Sequence, residues 1–432
     1  MLQYNHQMRK TRTLAVVLGV CALASVITCS PFGGGDFACS GNASCSGMSG
    51  GVCEANGFCS FADPSCGPMG QRYSDGPGAG TCVMTTPVPI DAPVSSIDAS
   101  VDAPVLIDAG TGGMEMVQRF CLGTFVHLCV PTPPTDIVVL PPTLSTDAAP
   151  CRTDVTDMNG TPDLKYCVIT GALISGSTIA TGTRPLVLIS AGDITITQLD
   201  AASHRGGTVG PAANSTLCLP PGAAGPGGGG GGGGFGGKGG DGGAGVGAGG
   251  AGGKPSPATV LRGGCPGGAG STANTLGNGG GSVMLVAVGT ITISTSINAS
   301  GSSSASAGGS AGAGASGGGS GGMIVLEAAT LANNGNVFAN GGSGAEGSGA
   351  GGNPGGDGND PTNATAAPGG GGSSATGGDG GAGGAKPPTN GDGVKGSDGT
   401  GGGGGGGGGA IGVILTHGSM LGGATSPTPT TF

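Results

Sequence analysis

The sequence predicts an all-β protein organised around a short parallel β-solenoid of about five coils, into which long glycine-rich loops are inserted. The first observation is a recurring unit, clearest in residues 281–301, where a continuous apolar run is followed by alternating apolar and polar residues. A continuous run suits a strand buried on both faces, and alternation suits a strand with one face in water. The second observation is that 106 of the 432 residues are glycine, concentrated between copies of the unit.

The copies lie at regular offsets. A shift of 40 positions lays Met323 on Val283 without a gap, and a copy beginning at Leu186 needs one deletion beside Gln198. A fainter copy begins at Lys165 and gives the following correspondence: Gly171 with Gly289, Leu173 with Ile291, and Ile179 with Ile297. Because no glycine tract separates Lys165 from Leu186, their spacing of about 21 residues predicts the bare coil length, which is typical of a β-solenoid.

This alignment predicts which side chains stack in neighbouring coils, with strands about 4.8 Å apart. The three expected ladders are Leu188–Leu285–Val325, Ile194–Ile291–Leu331 and Leu199–Ile297–Val337. The solenoid interpretation depends on this stacking.

The chain begins with a predicted export signal, residues 1–28. A basic start at residues 9–12 precedes an apolar run of about 14 residues, which is too short to span a bilayer. The residues Val-Ile-Thr-Cys ending at Cys29 resemble a bacterial lipoprotein processing site, at which Cys29 would carry the lipid. Ordinary cleavage with an unmodified Cys29 is the alternative. Ser30 after the cysteine favours the outer membrane.

Removal of the leader changes the formal net charge from −10 to −13, because its basic residues leave and no acidic residue leaves with them. An acidic chain of this kind is poorly suited to nucleic acid. We therefore expect no nucleic-acid partner. No Gly-Lys-Ser/Thr follows a predicted strand, so the glycine-rich text does not indicate a phosphate loop, and no resident cofactor is expected.

The 14 cysteines of an exported chain predict disulfides before metal sites. Cys21 leaves with the signal and Cys29 is assigned to lipid. The remaining disulfide candidates are Cys39, Cys45, Cys53, Cys59, Cys66, Cys82, Cys121, Cys129, Cys151, Cys167, Cys218 and Cys265. The first six lie in a module, residues 29–84, that is too short to fold without cross-links. Its spacings lack the close pairs of a zinc site, and its connectivity stays open.

Residues 85–117 form a predicted spacer. Asp-Ala-Pro recurs there, ending at Pro93 and at Pro104, without helical or strand periodicity. Such a segment is semi-extended and disordered, so it would hold the following domain away from a membrane.

Three features together resemble a known family. They are the cysteine module with Phe-Cys-Ser-Phe-Ala-Asp-Pro-Ser-Cys at residues 58–66, the Asp-Ala-Pro spacer and the glycine-rich repeats. The combination is similar to the large glycine-rich surface lipoproteins of myxobacteria, often labelled as similar to the PE-PGRS proteins. The resemblance covers nearly the whole chain and implies an architecture at the cell surface, but no defined activity.

The predicted solenoid domain spans residues 118–425 and is followed by a loose tail, residues 426–432. Its entry region, residues 118–185, is rich in proline and is expected to be irregular and to cap the first coil. The simplest cysteine pairing there joins Cys121 to Cys129 and Cys151 to Cys167.

Three glycine-rich tracts, residues 206–281, 301–322 and 341–409, leave the solenoid after the same strand of successive repeats. Two interpretations compete. In the favoured one the tracts are mobile, because each ordered glycine costs about 1–2 kcal/mol of backbone entropy and buries no side chain. In the other, residues 227–234 and 401–409 form extended threefold helices that pack through backbone hydrogen bonds. A disulfide between Cys218 and Cys265 would close much of the first tract.

Candidate chemistry is sparse. Asp357, Asn359 and Asp360 match part of a calcium-binding nonapeptide and are weak calcium candidates. The pair His204-Arg205 is interpreted as a solvated turn. Asp193, Asp200 and Glu327 occupy unmatched repeat positions and do not indicate a catalytic cluster.

The sequence therefore predicts a non-catalytic cell-surface lipoprotein with a structural or adhesive role. The expected location is the outer membrane or surface of a Gram-negative bacterium, reached by export and held by a lipid anchor. The expected partners are the membrane, extracellular polysaccharide or surface proteins. The alternative is an extracellular carbohydrate-binding module that uses the Thr and Ser rows of the outward strand face to bind exopolysaccharide or cell-wall glycan. A calcium-binding repeat protein is a third hypothesis.

Overall fold

The computed structural model describes residues 119–148, 150–158, 166–271, 275–385 and 391–432, together with short pieces between residues 45 and 83. The export signal, Cys29, Cys39 and the spacer lie outside the described residues. The chain divides into two units, Met1–Gly110 and Thr111–Phe432. The described residues are all-β with almost no helix, and none of their helices has the length and hydropathy needed to cross a membrane.

The first unit contains a small antiparallel sheet. Its strands are β1 (Val52–Cys53), β2 (Cys59–Ala62), β3 (Gln71–Tyr73) and β4 (Cys82–Val83), paired in that order. A disulfide joins Cys45 to Cys59, and Cys53 and Cys66 are also disulfide-bonded. The sequence expectation of a cross-linked module is therefore met in the described part of this unit.

The described residues of the second unit form sixteen strands. They are β5 (Phe120–Leu122), β6 (Leu128–Val130), β7 (Ile137–Leu140), β8 (Thr143–Ser145), β9 (Thr156–Asp157), β10 (Cys167–Gly171), β11 (Leu173–Thr181), β12 (Leu186–Ser190), β13 (Ile194–Asp200), β14 (Ser282–Ala287), β15 (Thr290–Asn298), β16 (Met323–Asn333), β17 (Asn336–Phe338), β18 (Val413–Leu421), β19 (Ala424–Ser426) and β20 (Thr430–Thr431).

Thirteen of these strands form one parallel sheet that is nearly closed on itself. One run follows the order β10-β12-β14-β16 and the other follows β16-β15-β13-β11-β7, so the long strand β16 belongs to both. Inward side chains of both runs meet in a single core, in which Leu188, Leu285 and Ile291 are fully buried. The alternating strand β13 buries Ile194 and exposes Thr195, as a strand with one wet face should.

The outer face of the first run is covered by the entry region. Strands β5, β6 and β9 form a three-stranded antiparallel sheet, and Val126, Leu128 and Val155 pack with outward side chains such as Met284 and Val325. The apolar runs are therefore buried on both faces, as the sequence indicated. The expectation of an irregular entry region was wrong in part, because β7 and β8 pair with β11.

Two of the three predicted ladders are confirmed. Ile194 pairs with Ile291 and Ile291 with Leu331, while Leu199 pairs with Ile297 and Ile297 with Val337. The deletion beside Gln198 appears as a shift in register after Ile196.

The third ladder was wrong by one residue. Leu188 pairs with Leu285 as expected, but Leu285 pairs with Leu326, whereas Val325 pairs with Met284. Both faces of this run are buried, so a one-residue slip exchanges one apolar set for another and leaves no trace in the apolar pattern. The alignment recovers further along the coil, because the offset of 41 between Val286 and Glu327 becomes 40 between Thr290 and Thr330. The connection between β14 and β15 therefore holds one residue more than the matching part of β16.

The fainter copy was also misaligned by one residue. Ile174, and not Leu173, pairs with Ile194, and Leu173 and Ile179 are about 40% exposed. Cys167 pairs with Leu186, 19 positions further on, so the bare repeat is shorter than the predicted length.

The C-terminal tail is paired, contrary to the expectation of a loose end. Thr430 and Thr431 lie beside Leu415 and Thr416. The Phe432 ring packs edge-on against Phe125, with centroids 5.7 Å apart.

Candidate functional site: the glycine-rich bundle and its charged edge

The three glycine-rich tracts leave and rejoin the sheet at stacked positions. They leave after Asp200, Asn298 and Phe338, which are neighbours in register. The second and third rejoin at Met323 and Val413, which pair with each other, and Ser282, where the first rejoins, pairs with Met323. The predicted common point of departure is confirmed, and the stack of strands places the tracts side by side.

The described residues of the tracts are ordered, so the expectation of mobile loops was wrong and the alternative of packed threefold helices is confirmed. The N–H groups of Gly404, Gly407 and Ala410 donate to the carbonyls of Gly227, Gly230 and Gly233, each at 2.8 Å. Contacts that recur every third residue are those of an extended helix with three residues per turn. We call the assembly of these segments the glycine bundle.

Two segments lie at the centre of the glycine bundle, residues 227–235 and 402–411. Residues 402–411 are hydrogen-bonded to six neighbouring segments, and residues 227–235 are hydrogen-bonded to five. The six neighbours of residues 402–411 are residues 227–233, 240–243, 315–321, 342–348, 378–384 and 391–397. The backbone groups of this segment thus find partners on every side, which offsets the entropy of ordering glycine.

Enclosure on every side explains why these two segments are nearly pure glycine. A Cβ on Gly407 would lie 2.1 Å from the carbonyl oxygen of Gly240, and one on Gly232 would lie 1.9 Å from that of Gly408. At the surface of the bundle one residue in three can carry a side chain. Lys238 and Asp241, three positions apart, form an ion pair at 2.9 Å there.

Aspartates protect backbone groups at the bundle surface. The carboxylate of Asp392 accepts the Lys238 N–H at 2.7 Å, and that of Asp398 accepts the Ala244 N–H at 2.8 Å. Asp241 accepts the Gly252 N–H at 2.8 Å. These N–H donors are therefore satisfied by side chains where no further glycine segment follows, much as charged residues protect the edge of a sheet.

A charged cluster fastens the third tract to the end of β13. The His204 ring nitrogens lie 3.0 Å from Asp200 Oδ2 and 3.8 Å from Asp360 Oδ2. Hydrogen bonding to Asp200, and then to Asp360, raises the pKa of His204 to about 10. Arg205 donates from Nη1 to Asp357 Oδ2 at 2.5 Å. The interpretation of His204-Arg205 as a solvated turn agrees with the exposed turn that begins at Arg205, but it missed the ion pairs with Asp357 and Asp360. These two partners lie over 150 positions away and had no signal in the sequence.

The weak calcium candidates have other partners in the structure. Asp360 accepts the Ser303 N–H at 2.6 Å and the Arg205 N–H at 2.9 Å. Asp357 accepts the Ser306 N–H at 2.8 Å in addition to Arg205. Asn359 donates from its amide to the Pro368 carbonyl at 3.0 Å. These groups hold neighbouring segments together and do not converge on one point.

Glu346 is buried within the glycine bundle and serves as a second anchor. Its carboxylate accepts N–H groups from Gly356 at 2.7 Å, Ser373 at 3.0 Å and Ser374 at 2.9 Å. Burial raises the pKa of this carboxyl, but these hydrogen bonds outweigh burial and hold the pKa below its ordinary value. The sequence carries no signal for this role, because the glycine-rich surroundings of Glu346 do not indicate that its side chain is buried.

The other acidic repeat residues also serve the backbone. Asp193 accepts the Thr290 N–H at 2.7 Å. Glu327 is buried and accepts the N–H groups of Thr124 and Phe125 at 2.6 and 2.9 Å, which ties the entry region to β16. Among the hydrogen bonds of the described residues, none joins Asp193 or Glu327 to the cluster around His204.

Three predicted disulfides of the second unit are present: Cys121–Cys129, Cys151–Cys167 and Cys218–Cys265. Cys121, His127 and Cys129 are the one group of potential metal ligands found among the described residues. The two sulfurs of this group form the Cys121–Cys129 disulfide, so neither is available as a thiolate ligand.

A shallow cleft lies beside the last strands of the parallel sheet, β18, β19 and β20. Its lining includes Thr416, Ser419, Met420 and Thr431. Hydroxyl and apolar groups without a charged side chain offer hydrogen bonds and little catalytic chemistry.

Comparisons with protein-family models, with curated proteins and with solved structures find no match to this chain.

Proposed function

We propose that the chain is a non-catalytic, exported cell-surface lipoprotein with a structural or adhesive role. In this proposal the parallel sheet is a short β-solenoid of about five coils. The solenoid carries the glycine bundle away from a membrane to which Cys29 is anchored. The observation that supports it best is the enclosure of residues 402–411 by six neighbouring segments.

This enclosure favours a mechanical role over a chemical one. The central segments are nearly all glycine, and their contacts are made by backbone groups. The carboxylates at the bundle surface, such as those of Asp360 and Asp392, accept hydrogen bonds from backbone N–H groups. A bundle of this kind resists deformation because many hydrogen bonds must break together, which suits a protein that bears load or spaces surfaces.

The anchor is tested by lipid labelling in cells. With labelled fatty acid, the wild-type chain should take up label and fractionate with membranes, and Cys29→Ala should lose both properties. Cys21→Ala is the matched control, because Cys21 lies within the predicted signal and should leave labelling intact. An unlabelled wild-type chain would contradict the anchor.

The structural role is tested by surface attachment and cell cohesion. Cells that carry Gly407→Ala should lose cohesion relative to wild type, because the added Cβ would meet the Gly240 carbonyl. Gly308→Ala should leave cohesion unchanged, because its Cβ would have no heavy atom within 4 Å. Equal cohesion in cells that lack the protein altogether would overturn the proposal.

Carbohydrate binding is the second candidate, and one observation favours it. Ser175, Thr195 and Thr292 are neighbours in register and form a row of hydroxyl side chains on the outward face of the second run. Such a row could follow an extended glycan chain. Retention of the full chain on exopolysaccharide, lost in Thr195→Val with Thr292→Val, would support this function. Equal retention by the double variant would contradict it.

A further inference from the structure

A buried guanidinium lies against one of the disulfides. Arg262 is 4% exposed, and its Nη1 lies 3.8 Å from Cys218 Sγ and 3.9 Å from Cys265 Sγ. Its Nη2 donates to the hydroxyl of Ser256. The guanidinium carbon lies 4.1 Å from the centre of the Phe235 ring.

The charge of Arg262 has no carboxylate partner among the ion pairs of the described residues. Buried charges in proteins are normally paired. Burial lowers the pKa of Arg262, yet an arginine keeps its proton in proteins. Of the groups in contact with the guanidinium, the two sulfurs are the ones that can become anionic.

The two sulfurs differ in access. Cys265 is fully buried, whereas Cys218 is partly exposed and lies between Leu217 and Leu219, which are both more than half exposed. An external group can therefore reach the disulfide from the Cys218 side. The sulfur released by such an attack is the buried one, which lies beside the cation.

We propose that Cys218–Cys265 is a thiol–disulfide exchange site that accepts a small-molecule thiol at Cys218. The thiolate of the small molecule attacks Cys218 Sγ and forms a new S–S bond, and the bond to Cys265 Sγ breaks. The electron pair of the broken bond stays on Cys265 as a thiolate, which Arg262 neutralises. The exchange needs no oxidant or reductant beyond the attacking thiolate.

A second disulfide provides an internal comparison. Cys121–Cys129 joins the antiparallel strands β5 and β6, and Cys121 is exposed. Among the hydrogen bonds and ion pairs of the described residues, no arginine contacts its sulfurs. If exposure alone governed reactivity, this disulfide would react at least as fast as Cys218–Cys265.

The test treats the full chain with reduced glutathione, quenches with an alkylating agent and maps the modified peptides by mass spectrometry. We expect glutathione on Cys218 and an alkylated Cys265 before any other described disulfide opens. A neighbouring cation lowers the pKa of a thiol and makes it a better leaving group. Arg262→Gln should therefore slow the exchange about tenfold, whereas Arg262→Lys should stay within about threefold of wild type.

Circular dichroism and amide exchange check that both variants fold. If Arg262→Gln does not fold, the order in which the wild-type disulfides open decides the question. Equal or faster opening of Cys121–Cys129 would overturn the proposal. A folded Arg262→Gln that exchanges at the wild-type rate would overturn it as well.

Discussion

Substitution of a central glycine tests whether the glycine bundle is packed as described. Gly407 donates to the Gly230 carbonyl at 2.8 Å and accepts the Gly318 N–H at 3.0 Å. A Cβ at this position would lie 2.1 Å from the Gly240 carbonyl oxygen, so at least one segment must move by about 1 Å to restore ordinary contact. Overpacking of this kind costs about 1–3 kcal/mol, and two weakened hydrogen bonds add about 1 kcal/mol each.

The expected loss of stability for Gly407→Ala is therefore about 3–5 kcal/mol. The matched control is Gly308→Ala, for which there is open space. There the smaller entropy of the unfolded chain should stabilise by about 0.4–1 kcal/mol. The assay is denaturant unfolding together with amide hydrogen exchange across residues 402–410, which should be strongly protected in the wild-type protein. Free exchange there, or equal stability of the two variants, would refute the packing.

Three further predictions concern single side chains. Glu346→Gln should remove a pH dependence of stability, because the lowered pKa of Glu346 gives stability that is present above about pH 4.5 and is lost as the pH falls below it; unfolding midpoints at several acidic pH values check this. His204 should titrate near pH 10 by NMR, and since its pKa is raised, the stability that it contributes with Asp200 and Asp360 should be present below pH 6.5 and lost as the pH rises through about 10. A titration near pH 6.5 would contradict these contacts. Leu326→Ala should cost about 2–5 kcal/mol in denaturant unfolding, because Leu326 is fully buried in the inner core; a cost below 1 kcal/mol would contradict its place in the ladder.

The register of the strands could be predicted from the sequence wherever one face of a strand is exposed to solvent. Alternation in β13 and β15 determined the register that joins Ile194 to Ile291 and Leu199 to Ile297. In the run buried on both faces no such signal exists, so Val325 was placed where Leu326 lies. The outward side chains of that run pack against the entry region and against Phe235 and Leu261 of the first tract, and these contacts lie outside the repeat.

The order of the glycine bundle was underestimated for a physical reason. A single ordered glycine has an entropic cost and no side chain to bury, whereas the stabilising hydrogen bonds form only when all the segments pack together. A signal was present in the three-residue spacing of Lys238 and Asp241, and again in that of Lys395 and Asp398, since both pairs face solvent. The contacts of His204 with the third tract depend on long-range folding, which a local pattern does not show.

The position of residues 227–235 beside residues 402–411 has a consequence for how the protein forms. Gly227 and Gly404 are bonded across 177 positions of sequence, so the first tract is synthesised long before its partner exists. Contacts of such separation slow folding, because the intervening chain must be ordered before they form. During synthesis the first tract would therefore lack many of the segments that surround it in the finished bundle. Completion of the bundle would be a late event that follows arrival of the last tract.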